Sequence, residues 1–139
     1  MNRAAQAKKF LNSYREAHEQ LMECKERIDT LREKQRVAAS PRLSGMPKAN
    51  QHIDLSDYIV RLELLIEEYE KKYNIEKATM KEVRTAIERL CSDKDRQILS
   101  YKYIDFMNYA EIAEATGMEL GTIYDRHERA LGRLIWKNL

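Results

Sequence analysis

Three histidines, two cysteines and 23 acidic side chains are the groups with which this chain can do acid–base, nucleophilic or metal chemistry. His18, His52 and His127 fall in three separate elements, and neither Cys24 nor Cys91 lies near one of them in sequence. No H-E-x-x-H, glycine-rich phosphate loop or nucleophile elbow is present. The carboxylates lie on highly charged helical faces, where solvation is their ordinary role. We therefore expect no enzyme, no metal centre and no cofactor. The two cysteines have no C-x-x-C context and read as reduced thiols. With no apolar h-region at the amino terminus and no apolar run of 18 residues, the expected location is the cytoplasm, with no membrane partner.

Chemistry of a different kind, hydrogen bonding and cationic contact, gathers in residues 108–135, NYAEIAEATGMELGTIYDRHERALGRLI. By period this stretch is two helices. Ala110, Ile112, Ala113 and Met118 form a short apolar set around Gly117, and Ile123, Ala130, Leu131, Leu134 and Ile135 a longer one after it. A short helix, a glycine turn and a longer helix make a helix-turn-helix. Gly117 suits a turn that needs positive φ, and small Ala113 suits a close helix crossing. Asn108 followed by Glu111 is a capping signal for the first helix, and Ser92 followed by Asp95 is one for the helix before it.

The elements that must position this unit are also helical. Four glycines, two prolines and 35 % charged residues point to an all-α chain. Residues 3 to about 38 read as one long helix whose seam is Ala7, Phe10, Tyr14, Ala17, Leu21, Cys24, Ile28, Leu31, Gln35 and Ala38. A second runs from about Asp54 to Leu90, with a seam through Leu55, Ile59, Leu62, Ile66, Tyr69, Tyr73, Glu76, Met80, Val83 and Ile87. Between them, residues 40–52 hold both prolines and no period, and read as a loop. Two heptad helices so joined should fold back as a long antiparallel, coiled-coil-like hairpin. The expected organisation is thus a hairpin over 1–90, serving for oligomerisation, and a three-helix DNA-binding unit over 91–139.

ILSYKY (98–103), AEIAEATGM (110–118) and ERAL (128–131), with Leu134 closing the core, resemble region 4 of bacterial RNA polymerase sigma factors. With the hairpin in front, the whole chain is similar to small phage transcriptional regulators of the ArpU/RinA type. That resemblance implies binding to double-stranded DNA, control of phage or prophage genes in a bacterial host cell, and contact with host RNA polymerase. It places the DNA-reading positions on Leu120, Gly121, Thr122, Tyr124, Asp125 and Arg129, with Arg126 and Lys102 as further contacts. Thr122 can touch a base or methyl group, Tyr124 and Lys102 can reach phosphate, and Asp125 can accept from cytosine. Sigma factors favour Arg and Gln on this face, and they keep an apolar core residue where this chain has Arg126.

Charge is spread unevenly. Residues 1–50 carry 11 basic and 6 acidic side chains, whereas residues 91–139 carry 7 and 8. A DNA-binding unit near −1 lacks the phosphate-neutralising excess that supplies most non-specific affinity. Two functions remain in view. One is a DNA-binding regulator, dimeric through the hairpin, in which two weak units reinforce each other. The other is an adaptor that grips RNA polymerase or another phage protein through the same surfaces.

Overall fold

Asn2 opens the first helix: its side-chain oxygen accepts the Ala5 N–H at 2.7 Å, as a capping side chain does for an otherwise orphaned donor. In the computed structural model, which describes residues 2–40 and 51–136 (side chains of 51–54 excepted), all regular structure among the described residues is helical. The order is α1 (Arg3–Ala39), α2 (Gln51–Glu88), α3 (Asp93–Leu99), a π-helical turn (Ser100–Ile104), α4 (Tyr109–Thr116) and α5 (Leu120–Arg133). The second helix starts three residues earlier than its apolar period suggests. The loop expected at 40–52 falls largely on 41–50, outside the described residues. No helix among the described residues is long and apolar enough to cross a membrane.

The described chain divides into two compact units, one made of residues 20–76 and the other of 1–19 with 77–139, so that α1 and α2 each contribute to both. Within 20–76 the two long helices pair antiparallel. Leu31, Leu62 and Ile66 are buried together with Ile28 and Tyr69 against them. The Gln35 amide donates to the Glu63 carboxylate at 2.8 Å, and Arg32 pairs with Glu70 at 3.2 Å. Rising positions on α1 therefore meet falling positions on α2. This seam is thin because Cys24, Gln35 and Ala38 bury little apolar area for their positions.

The other unit has two apolar clusters. The first gathers Ala7, Leu11 and Tyr14 from α1, Val83, Ala86, Ile87 and Leu90 around the end of α2, and Leu99, Tyr103, Ala130, Leu131 and Leu134. The second is Ile98, Ile112 and Ile123, one residue each from α3, α4 and α5. Leu11 is fully buried although it stands beside the heptad seam of its helix. The start of α1 packs against α2 and the C-terminal helices together, and a surface covered on two sides needs a broader apolar face than a two-helix seam. Ile135, which the period assigns to the apolar face of α5, is exposed, because the helix ends at Arg133 and Leu134 is extended.

Arg3 fastens the two ends of this unit. Its Nε donates to the Gly132 carbonyl at 3.0 Å and its Nη2 to the Leu134 carbonyl. Its guanidinium also lies 5.3 Å from the centre of the Trp136 ring, and Trp136 stacks on Phe10 at 5.4 Å. A cation on the last carbonyls of α5 satisfies acceptors that the helix end leaves unpaired.

Leu11→Ala should lower unfolding free energy by about 2–5 kcal/mol, the usual cost of such a cavity. Urea denaturation followed by Trp136 fluorescence measures this. An unshifted midpoint would show that the C-terminal helices do not depend on α1.

Candidate nucleic-acid interface

Local hydrogen bonds close the starts of α3 and α4 and the end of α4. Ser92 Oγ accepts the Asp95 N–H at 3.3 Å and starts α3. Asn108 and Glu111 form a reciprocal capping box: Asn108 Oδ1 accepts the Glu111 N–H at 2.8 Å, and Glu111 Oε1 accepts the Asn108 N–H at 3.1 Å. Gly117 ends α4 at φ 72, with its N–H on the Ala113 carbonyl at 2.9 Å. A Cβ there would meet nothing within 4 Å, so left-handed backbone rather than space selects glycine. Three residues, 117–119, separate α4 from α5, the spacing of a helix-turn-helix.

The segment between α3 and that capping box has no such signal. The helix that Ser92 opens, α3, ends at Leu99, and the next turn widens: Asp105 N–H reaches the Ser100 carbonyl at 3.0 Å. Phe106 then takes φ 58, a left-handed conformation unusual for a bulky side chain. Its ring lies 6.0 Å from Tyr14 and 5.8 Å from His18, and the Arg15 guanidinium sits over it at 4.9 Å. Packing against α1 offsets a backbone cost of about 1–3 kcal/mol.

The side chains of α5 divide into an inner and an outer set. Ile123, His127, Ala130 and Leu131 are buried. Gly121, Thr122, Asp125 and Arg129 are exposed, with Thr122, Asp125 and Arg129 following one another at helical spacing along one strip. Leu120 and Tyr124, one turn apart, are 43 % and 45 % exposed. A Cβ on Gly121 would meet nothing within 4 Å, so packing does not demand glycine there. Glu119, the residue before α5, makes no side-chain cap. The first turn of α5 thus has no side-chain cap, and a helix N-terminus is a favourable place for an anion.

Arg126 behaves differently from its neighbours on the helix. It is half-buried and lies 3.6 Å from the Asp95 carboxylate, which Arg133 also approaches at 3.6 Å. Asp95 itself is only 3 % exposed. A cation in the position of an expected core residue is thereby balanced by a buried anion from α3, and α5 is pinned to α3 by charge as well as by Ile98 and Ile123. Arg129 has no ion-pair partner among the described residues. Sequence patterning alone did not single out Asp95 beyond its place near the Ser92 cap, since its partners lie more than thirty positions away.

His127, though carried on a highly charged helix, lies in the core, 1 % exposed. Its Nε2 is 2.7 Å from the Tyr103 hydroxyl, and its ring stacks on Tyr103 at 5.7 Å and meets Tyr109 edge-on at 5.4 Å. Burial lowers its pKa from 6.5 to about 4, with nearby Lys8 and Lys102 acting in the same direction and Glu128 opposing them. Burial likewise pushes the Tyr103 hydroxyl well above its usual range. The pair is a neutral structural hydrogen bond at physiological pH. Lys102 lies 4.3 Å over the Tyr109 ring, and Tyr109 meets Tyr124 at 4.7 Å. An aromatic path therefore links Lys102 to the exposed face of α5. Among the described residues no three His, Cys, Asp or Glu side chains converge as a metal site would require.

This geometry has a counterpart among known families. Residues 80–134 match the family model for sigma-70, region 4. No curated protein and no solved structure matches the chain. The matched segment begins at Met80 in α2 and takes in the whole sigma-70 region 4-like helix-turn-helix through Leu134. The three-block resemblance in the sequence thus falls on α3 with its π-helical turn, on α4, and on the second half of α5.

The buried imidazole makes stability depend on pH. An unfolded chain protonates His127 near 6.5 and the folded one only near 4. Its contribution is therefore complete above the unfolded value and is lost as pH falls. Lowering pH from 7.5 to 5.5 should cost about 1 kcal/mol through this group. Urea titrations of wild type and His127→Gln at the two pH values test this. An equal pH dependence in both proteins would contradict it.

Proposed function

We propose that the chain is a DNA-binding transcriptional regulator of phage or prophage type, reading double-stranded DNA with α5. The observation that carries this reading is the outward strip of α5 on a rigid helix-turn-helix: Leu120, Gly121, Thr122, Tyr124, Asp125 and Arg129 stand free of the core. The match of residues 80–134 to sigma-70 region 4 supports the same surface, because that unit presents its second helix to the major groove. Arg129 is the side chain suited to a guanine edge, Thr122 to a base or methyl, and Asp125 to a cytosine amine. Lys102 supplies phosphate contact beside Tyr109. Arg126 acts mainly from behind, holding α5 to Asp95.

The remainder of the reading follows from the resemblance of the whole chain to ArpU/RinA-type regulators and from the physics of a lean reading face. Pairing of the long helices of two copies would place two units on half-sites, making the second contact effectively intramolecular. In this picture residues 1–90 serve oligomerisation and 91–139 serve DNA, in the cytoplasm of a bacterial host.

One observation favours the adaptor reading. Arg126 is engaged with Asp95, so the outer strip retains a single arginine beside two exposed apolar side chains, Leu120 and Tyr124. An apolar, weakly charged helix face of this kind also suits a protein groove, and RNA polymerase is the natural candidate.

Selection of bound fragments from the source genome, followed by footprinting, separates the two readings. Wild type should enrich one sequence, and a palindromic footprint would accord with a dimer. Arg129→Glu should weaken binding by about tenfold or more while leaving the fold intact, since its side chain is exposed and has no ion-pair partner among the described residues. Failure to enrich any sequence at low salt would overturn DNA reading and leave the adaptor.

A further inference from the structure

The start of α1 brings new positive charge to the C-terminal unit. Residues 91–139 alone carry 7 basic against 8 acidic side chains. The compact unit that contains them also includes residues 1–19 and 77–90, and its totals are 15 basic against 12 acidic. The folded unit is thus net positive where its terminal segment is not.

Part of that charge is focused in one place. A cleft of about 220 Å³ lies between α1 and the connection into α4, lined by Asn12, Arg15, Lys102, Phe106 and Asn108 among others. No acidic side chain lines it. Both cations are held over aromatic rings, Arg15 over Phe106 at 4.9 Å and Lys102 over Tyr109 at 4.3 Å. Such seating restricts two otherwise flexible side chains and lowers the entropy lost when they meet a ligand. Glu19 approaches Arg15 at 3.9 Å, but both are well exposed, so that pair holds the guanidinium only weakly. Side-chain contacts lead from the cleft to α5: Lys102 lies over the Tyr109 ring, and Tyr109 meets Tyr124 at 4.7 Å.

We propose that Arg15 of α1 and Lys102 together bind a phosphate of the DNA backbone in this cleft, with Asn12 as a further donor, making the first helix part of the DNA interface. The proposal rests on the DNA-binding reading of α5. Two cations and an amide, fixed beside a helix that enters the groove, match the backbone contacts that set register in protein–DNA complexes. The contact carries no sequence information. Its role is to supply affinity and to orient a reading face that has few cations of its own.

The test is the salt dependence of binding to a duplex recovered with the full-length protein. Arg15→Gln and Lys102→Gln should each weaken binding about fivefold to tenfold, equally for specific and unrelated duplexes, and lower the slope of log K against log salt by about one. Arg15→Lys should retain most of the slope, and Lys34→Gln, which removes a charge from the other unit, should leave it unchanged. Thermal unfolding of each variant separates lost contact from lost fold. If wild type binds no duplex, the reading of α5 has failed. If wild type binds and Arg15→Gln keeps the wild-type slope with its fold intact, the cleft proposal is overturned while that reading stands. A saturable shift of the Arg15 side-chain resonance with inorganic phosphate at constant ionic strength, combined with a wild-type DNA slope in Arg15→Gln, would identify a free-phosphate site and also overturn it.

Discussion

Helices of seven, eight and fourteen residues are too short to persist alone in water, so this C-terminal unit depends on a shared apolar layer. Ile98, Ile112 and Ile123 fix the crossing of its three helices. That trio is small, and the larger cluster beneath it draws Ala7, Leu11 and Tyr14 from the opposite end of the sequence. The helix that faces outward is therefore held in place by residues more than a hundred positions away. Arg3 reinforces the arrangement by donating to the last carbonyls of α5.

Polar groups within this layer decide which charges remain available outside it. Asp95 holds Arg126 and approaches Arg133, so these cations are spent on joining α3 to α5. His127 and Tyr103 are satisfied by each other and stay neutral. Arg129 and Thr122 face away from all of these groups. The result is a helix with a sparse outer surface, so that on the proposed DNA-binding reading affinity must come from elsewhere than the helix itself.

Two sources of that affinity are consistent with the physics. If the proposed dimer forms, a second copy would raise the effective concentration of each reading helix near its half-site. A backbone contact from α1 adds favourable, sequence-independent electrostatics at one site. Both draw on parts of the chain that a conventional helix-turn-helix does not contain. On the proposed reading the long helices would serve binding as well as spacing.

The local features of the fold were legible in the sequence. The helical periods of α1 and α2 depend on neighbours three and four apart, and the caps at Ser92 and Asn108 on partners three apart. The turn at Gly117 needs only one residue without a Cβ. The three sequence blocks that resemble sigma region 4 lie inside the matched segment for the same reason, since each is a local pattern of core and turn. The π-helical turn and the left-handed Phe106 were not legible, because no glycine or asparagine marks them and their support comes from Tyr14, Arg15 and His18 on α1. Burial of His127 and capture of Arg126 likewise require Tyr103 and Asp95 to arrive from another helix. The sequence by itself determined the helical periods, the caps at Ser92 and Asn108 and the turn at Gly117, because those follow short-range steric and hydrogen-bonding rules. Only the tertiary structure decided which cations are engaged and which face outward, because charge pairing depends on distance in space and not along the chain.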